Sequence, residues 1–251
     1  MPEDLFYEEA GAGEPPMLLV HGLACDHTYM APQVEHFRHQ HRVVAVDLRG
    51  HGRSAAPRQE YTIEGYADDL KGICDQLGLY KPVLVGHSLG GEISLALAAR
   101  YPDLPRAIVM LDSTLLPRKD RLPFLRDFSE RLKTANYPEE LRDHFSDLFL
   151  PGDGDELRTR VLERITATPQ FVVVSIWENG FFNYDTAAAA RACRVPALYI
   201  GAGSPNIDLD RFGELYPQLM TAKTVGSGHF NQLVVPDQVN AMIERFLELV
   251  P

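Results

Sequence analysis

The chain has 251 residues, 45% of them hydrophobic and 24% charged, with 19 Gly and 18 Pro, an ordinary globular composition that excludes disorder, collagen-like repeats and low complexity. Its 24 Lys and Arg against 35 Asp and Glu give a net charge of −11, and a surface that negative repels phosphate backbones and anionic lipid headgroups, so neither nucleic acid nor a membrane is an expected partner. The three cysteines, Cys25, Cys74 and Cys193, form no CxxC pair and lack Cys/His ligand spacing, so no disulfide framework and no metal is expected, and a cytoplasmic protein, monomer or homodimer, fits best.

The first residues, Met1-Pro-Glu-Asp-Leu-Phe-Tyr-Glu-Glu, are acidic where a signal peptide would be basic and then apolar. Short apolar runs follow at 17–20, 43–46, 83–85, 107–111 and 197–200, each bounded by Gly, Pro, Asp or other turn formers, the pattern of buried parallel strands. Between them lie longer stretches of helical periodicity. Such alternation predicts an α/β fold with a mostly parallel central sheet and helices on both faces.

From 111 to 197 the strand signal lapses, while 119–133, 138–150 and 156–166 look helical and Pro151-Gly152-Asp153-Gly154 reads as punctuation. The expected division is therefore a core of 1–114 and 191–251 interrupted by a helical insertion at 115–190. A short run at 171–174 fits a strand or a buried helical turn equally. A brief run at 223–225 precedes Gly226-Ser227-Gly228-His229, and Val239, Met242, Ile243, Phe246, Leu247 and Val250 mark a C-terminal helix opened by Pro236.

Gly86-His87-Ser88-Leu89-Gly90 directly follows one apolar run and opens a helix-like stretch. In this strand–turn–helix context a G-x-S-x-G sequence presents a serine on a sharp turn, with glycines two positions away so that strand and helix can approach. A serine needs a base, and the base a third group to hold its tautomer. Of the nine histidines, His229 lies on a Gly-flanked loop beyond a strand end and is free to reach into a site. His36, His39 and His41 sit in a polar segment and are read as solvated, and His51 and His87 flank turns and are expected to bond locally.

The chain resembles the α/β-hydrolase fold superfamily, specifically its small capped serine esterases and lactonases, over essentially its whole length. The resemblance rests on His21-Gly22-Leu23, Asp47-Leu48-Arg49-Gly50-His51-Gly52-Arg53-Ser54, the Ser88 turn and Gly228-His229-Phe230. It implies an oxyanion hole from the backbone N–H groups of Leu23 and Leu89, a helical cap formed by the insertion, and the chain order serine, acid, histidine. Serine at 88 disfavours dehalogenase and epoxide hydrolase activity, which in this superfamily use an aspartate there. In relatives the acid usually follows the strand at 197–200 as Gly-x-x-Asp, but here the sequence is Gly201-Ala202-Gly203-Ser204. Two candidates remain: Asp208, in a later loop, and Asp112, ending the strand at 107–111, where a minority of the superfamily carries its acid. Asp112 is favoured because it closes the sheet directly.

The function this implies is cleavage of a carboxylic ester, or a lactone or thioester, through Ser88, His229 and Asp112, with a small-molecule substrate and no cofactor. Two alternatives stay open. One is a cofactor-free dioxygenase or lyase using a His–Asp dyad, since 22–29 and 108–112 resemble ring-cleaving dioxygenases of this fold; the other is a catalytically silent receptor. Trp177, Phe181, Phe182 and Tyr184 fit a pocket roof as well as a core, and Cys25-Asp26-His27 is placed to approach substrate.

Overall fold

The computed structural model describes residues 5–203 and 207–250; Ser204, where relatives carry an aspartate, lies outside them. Seven strands form one sheet: β1 (Tyr7–Ala10), β2 (Met17–Val20), β3 (Val43–Val46), β4 (Val83–His87), β5 (Ala107–Leu111), β6 (Ala197–Gly201) and β7 (Leu219–Lys223), in the spatial order β1-β3-β2-β4-β5-β6-β7. All neighbours are parallel except β1, which runs antiparallel to β3 with Tyr7 opposite Val46.

Period-two alternation divides the inner strands between two cores. Leu18, Val20, Leu84, Ile108 and Met110 face one side, where α2 (Ile63–Leu77), α3 (Leu89–Arg100), α8 (Thr186–Ala192) and α9 (Leu209–Leu215) cover the sheet. Met17, Leu19, Val83, Val85 and Val109 face the other, against Phe37 of α1 (Ala31–Phe37) and Val239, Ile243 and Phe246 of α11 (Pro236–Leu249). The chain winds from β2 outward to β3 and then crosses back to β4, which makes the gap between β2 and β4 a topological switch point. Its carboxyl edge is where such sheets open a ligand crevice, and there the sequence carries His21-Gly22-Leu23 and Ser88.

Between β5 and β6 lie α4 (Leu122–Arg131), α5 (Tyr137–Ser146), α6 (Asp155–Arg164), α7 (Gln170–Ser175), a widened helical turn over Ile176–Phe181, and α8. The ambiguous run at 171–174 is helical. The segment has its own apolar centre, in which Phe128, Leu141, Phe145, Ile165 and Trp177 meet Cys25, Tyr29 and Phe230 of the core. The short helix α10 (Asn231–Val234) follows the His229 loop. The sequence run at 223–225 is not a strand of its own, because β7 ends at Lys223. Thr224 and Ser227 are instead buried in the turn beyond it, their hydroxyls 2.8 Å apart.

Candidate active site

Ser88 stands between β4 and α3 with φ 51 and ψ −116, a left-handed conformation costly for a non-glycine residue. The surrounding backbone leaves no alternative: a Cβ on Gly86 would lie 2.2 Å from the Gly90 carbonyl oxygen, so only glycine lets strand and helix fold this sharply. Strain held at a carboxyl-edge turn exposes the hydroxyl. Leu89 is the first residue of α3, so its N–H has no acceptor within the helix.

Asp112 follows β5 and also has positive φ, 41. Its Oδ1 accepts from the Ala202 N–H at 2.8 Å and its Oδ2 lies 2.7 Å from His229 Nδ1. With one oxygen fixed by the backbone and the other on the imidazole, the carboxylate has a single useful orientation. Asp208 is used differently: its Oδ1 accepts from the Arg211 N–H at 3.1 Å and caps α9. Of the two sequence candidates for the acid, only Asp112 meets His229.

The insertion holds the His229 loop from the far side. The His229 N–H donates to the Leu148 carbonyl at 2.9 Å, and the Gly228 N–H donates to both carboxylate oxygens of buried Asp153 at 3.0 Å. A Cβ on Gly228 would lie 2.4 Å from the Leu148 oxygen and 2.5 Å from Asp153 Oδ2, so the clamp itself requires glycine. Asp153 looked in the sequence like part of a turn. Its partner is remote along the chain, and no local pattern announces the contact.

His87, expected to bond locally, instead reaches the His229 carbonyl through Nε2 at 3.0 Å, with the two rings 4.7 Å apart. Burial and the neighbouring His229 hold it well below the ordinary imidazole range, so it stays neutral and acts as a fixed donor. His51 does bond locally, to the Arg49 carbonyl at 3.1 Å. His21 pins the loop after β2: its Nε2 accepts from the Leu48 N–H at 3.0 Å, which leaves Nδ1 to donate to the Gly22 carbonyl at 2.7 Å. His36 and His39 are exposed, as the sequence suggests, His36 pairing with Glu244 at 2.8 Å on the surface, whereas half-buried His41 bonds the Pro15 carbonyl at 2.9 Å.

Ser88, Asp112 and His229 line one cavity together with Leu23 and Leu89. Its remaining wall is mostly apolar: Leu125, Phe145, Leu148, Ile176, Trp177 and Phe181, all from the insertion. Three polar side chains join them, Thr114, His144 and Glu92. His144 stacks on Phe128 at 4.1 Å and burial pushes it down to about 4, so it is a neutral imidazole at pH 7. An adjoining chamber shares Asp112, His144 and His229 and adds Arg121 and Asp147.

The aromatic cluster divides. Trp177 and Phe181 line the cavity, whereas Phe182 lies beneath Arg126, whose guanidinium is 5.0 Å from the ring centroid, and Tyr184 packs on the main core. Cys25-Asp26-His27 does not line it. Cys25 is buried with its thiol pushed well above the ordinary range by burial, His27 Nδ1 is 2.7 Å from Asp47 Oδ1, and Asp26 pairs with Arg164 at 2.7 Å. All three cysteines are free and buried.

A sheet of this order with a strained serine at its switch point and an Asp–His pair beside it defines a family. The chain belongs to the α/β-hydrolase fold family, whose model matches residues 15–236. It is 41% identical over 106 residues to the 2-(acetamidomethylene)succinate hydrolase of Mesorhizobium japonicum, a match covering 42% of this chain and 38% of that protein. It is 39% identical over 109 residues to human Epoxide hydrolase 4, covering 42% of this chain and 30% of that protein. These matches thus span well under half of both relatives' lengths. Among solved structures, a thermophilic esterase from Thermogutta terrifontis superposes with a TM-score of 0.84 at 26% identity, covering 98% of this chain and 93% of the other. Among the described residues no helix is long and apolar enough to cross a membrane.

Proposed function

We propose that the protein is a serine hydrolase of carboxylic esters. The observation that carries this reading is the 2.7 Å contact between Asp112 Oδ2 and His229 Nδ1 in a cavity that also holds Ser88. The carboxylate keeps the proton on Nδ1 and leaves Nε2 as the base. Nε2 takes the Ser88 proton as Oγ attacks the acyl carbonyl, and the N–H groups of Leu23 and Leu89 receive the developing oxyanion. The imidazolium then gives that proton to the departing alkoxide. Water, deprotonated by the same nitrogen, attacks the acyl-enzyme, and the proton returns to Ser88 as the carboxylic acid leaves.

The insertion, from 115 to 190, serves in this reading as a cap that excludes water and shapes the acyl and alcohol subsites. A lactone or thioester presents the same carbonyl to the same groups. An epoxide does not, because the aspartate nucleophile that opens epoxides in this superfamily is replaced by Ser88. The test is hydrolysis of short-chain p-nitrophenyl esters by the wild type and by Ser88→Ala. Turnover by the wild type alone supports the reading, and equal turnover by both overturns it.

A further inference from the structure

Among the described residues that line the cavity, Glu92 is the one acidic side chain that neither the triad nor the oxyanion hole uses. It sits on α3 one turn past Ser88, only 3% exposed, and its Oε1 accepts from the Thr186 hydroxyl at 2.7 Å. Among the described residues no Lys or Arg pairs with it. Burial pushes its carboxyl up to about 7, with Glu64 adding to the shift and Thr186 opposing it. A buried acid without a countercharge is destabilising, and a hydroxyl bond alone does not require an acid, since Gln would accept it as well.

The rest of the wall explains what the acid could meet. The cavity that holds Ser88 presents Phe145, Trp177 and Phe181, and among the described residues lining it no side chain is basic other than the imidazoles of His144 and His229; Arg121 belongs to the adjoining chamber. Trp177 and Phe181 are ring neighbours, 5.0 Å between centroids at 57°, so two aromatic rings set at an angle share the cavity wall with Glu92. Aromatic faces with a carboxylate in a desolvated pocket favour an alkylammonium group through ring quadrupole and ion pairing. They disfavour an anion.

We propose that the part of the substrate entering this cavity carries an alkylammonium group, held by Glu92 against Trp177 and Phe181. This rests on the ester-hydrolase reading for its catalytic consequence, but not for the binding itself. The net charge of −11 acts in the same direction by raising the local concentration of cations.

Trp177 is the only tryptophan among ten tyrosines, so fluorescence excited selectively at the indole reports on a ring of this cavity. Choline and the neutral alcohol in which carbon replaces its nitrogen are titrated against the wild type, Glu92→Gln and Thr186→Val. The expected result is saturable quenching by choline with a Kd at least about tenfold below that of the neutral isostere. Glu92→Gln should shrink the difference to the roughly two- to threefold that the rings alone supply, and an unchanged difference would overturn the role of Glu92. Thr186→Val, which removes the hydroxyl and leaves the carboxylate, should keep the wild-type difference, a pattern that a merely structural role for Glu92 would not produce.

Catalysis is read separately, on acetylcholine and on p-nitrophenyl γ-(trimethylammonio)butyrate, each beside its carbon isostere. The pair with the larger ratio of kcat/KM tells whether the cation sits on the alcohol or the acyl side. Equal wild-type affinity for choline and its isostere, or no quenching by either, overturns the ammonium site. Absence of turnover of every ester, with the fluorescence preference intact, overturns the hydrolase reading and leaves the site standing.

Discussion

Replacing Asp112 by Asn changes one atom and, by the geometry of its two contacts, reverses a proton. Oδ1 is held by the Ala202 N–H at 2.8 Å, and an asparagine keeps that bond only by keeping its carbonyl oxygen there. Its NH2 group then occupies the place of Oδ2, 2.7 Å from His229 Nδ1, and can only donate. His229 must accept at Nδ1 and carry its proton on Nε2, the wrong tautomer for a base. A triad so inverted loses on the order of 10⁴ in turnover, about 5.5 kcal/mol of transition-state stabilisation. The fold should persist, since Asn is isosteric and the Ala202 bond survives.

The paired control is Asp208→Asn. Asn caps a helix about as well as Asp, so the α9 cap is preserved and turnover should fall only a few-fold, roughly, or not at all. The assay is kcat/KM on a p-nitrophenyl ester that the wild type turns over, with thermal melting by circular dichroism on each variant. A larger loss for Asp208→Asn, or comparable small losses for both, would refute the assignment of the acid.

Ser88→Ala and His229→Ala act on one step, so the double variant should be scarcely slower than either single one, and additive losses in kcat would show that the two do not work as a unit. Asp153→Ala should lower kcat more than it raises KM, because it frees the Gly228 N–H and with it the His229 loop; a pure KM effect would argue against the clamp. Trp177→Ala should shift the preference among ester chain lengths, whereas Phe182→Ala, which lies outside the cavity, should not; an equal shift in both would show that the cavity wall is misassigned. Glu92 gives a pH signature. Its carboxyl titrates at about 7 in the fold, against an ordinary value of 4.5, with Glu64, Tyr184 and the Thr186 hydroxyl nearby. Because the folded state binds this proton more tightly, its stability falls as pH rises from about 4.5 to about 7, by ~3 kcal/mol in all, and the loss is complete above that range. Urea unfolding should therefore show Glu92→Gln gaining on the wild type between roughly pH 5 and pH 8, and a constant difference would contradict the burial argument.

The buried strands were legible because a strand covered on both faces is a continuous apolar run, as at Met17–Val20 and Ala107–Leu111. β1 and β7 were not, since both are edge strands with mixed exposure and sequences such as Tyr-Glu-Glu-Ala carry too few apolar residues to signal a period. Ser88 and His229 were legible for a local reason: Ser88 lies between Gly86 and Gly90, and His229 directly follows Gly226-Ser227-Gly228, where the backbone must turn or approach another chain segment. Asp112 required a positional argument, the end of a strand, and its Oδ2 lies 2.7 Å from His229 Nδ1. Asp153 and His87 were missed because their partners lie far away in sequence, and hydrogen bonds across such separations leave no spacing pattern. Glu92 was hidden inside a mostly apolar helix, where only the tertiary burial turns a routine glutamate into an anomaly.

The central claim is that Ser88 is a nucleophile activated by His229, and a fluorophosphonate probe with peptide mapping by mass spectrometry tests it most directly. The account predicts one adduct on the wild type, located on Ser88, no adduct on Ser88→Ala, and labelling of His229→Ala slowed by several orders of magnitude, roughly. Labelling at another residue, or undiminished labelling of His229→Ala, would contradict it.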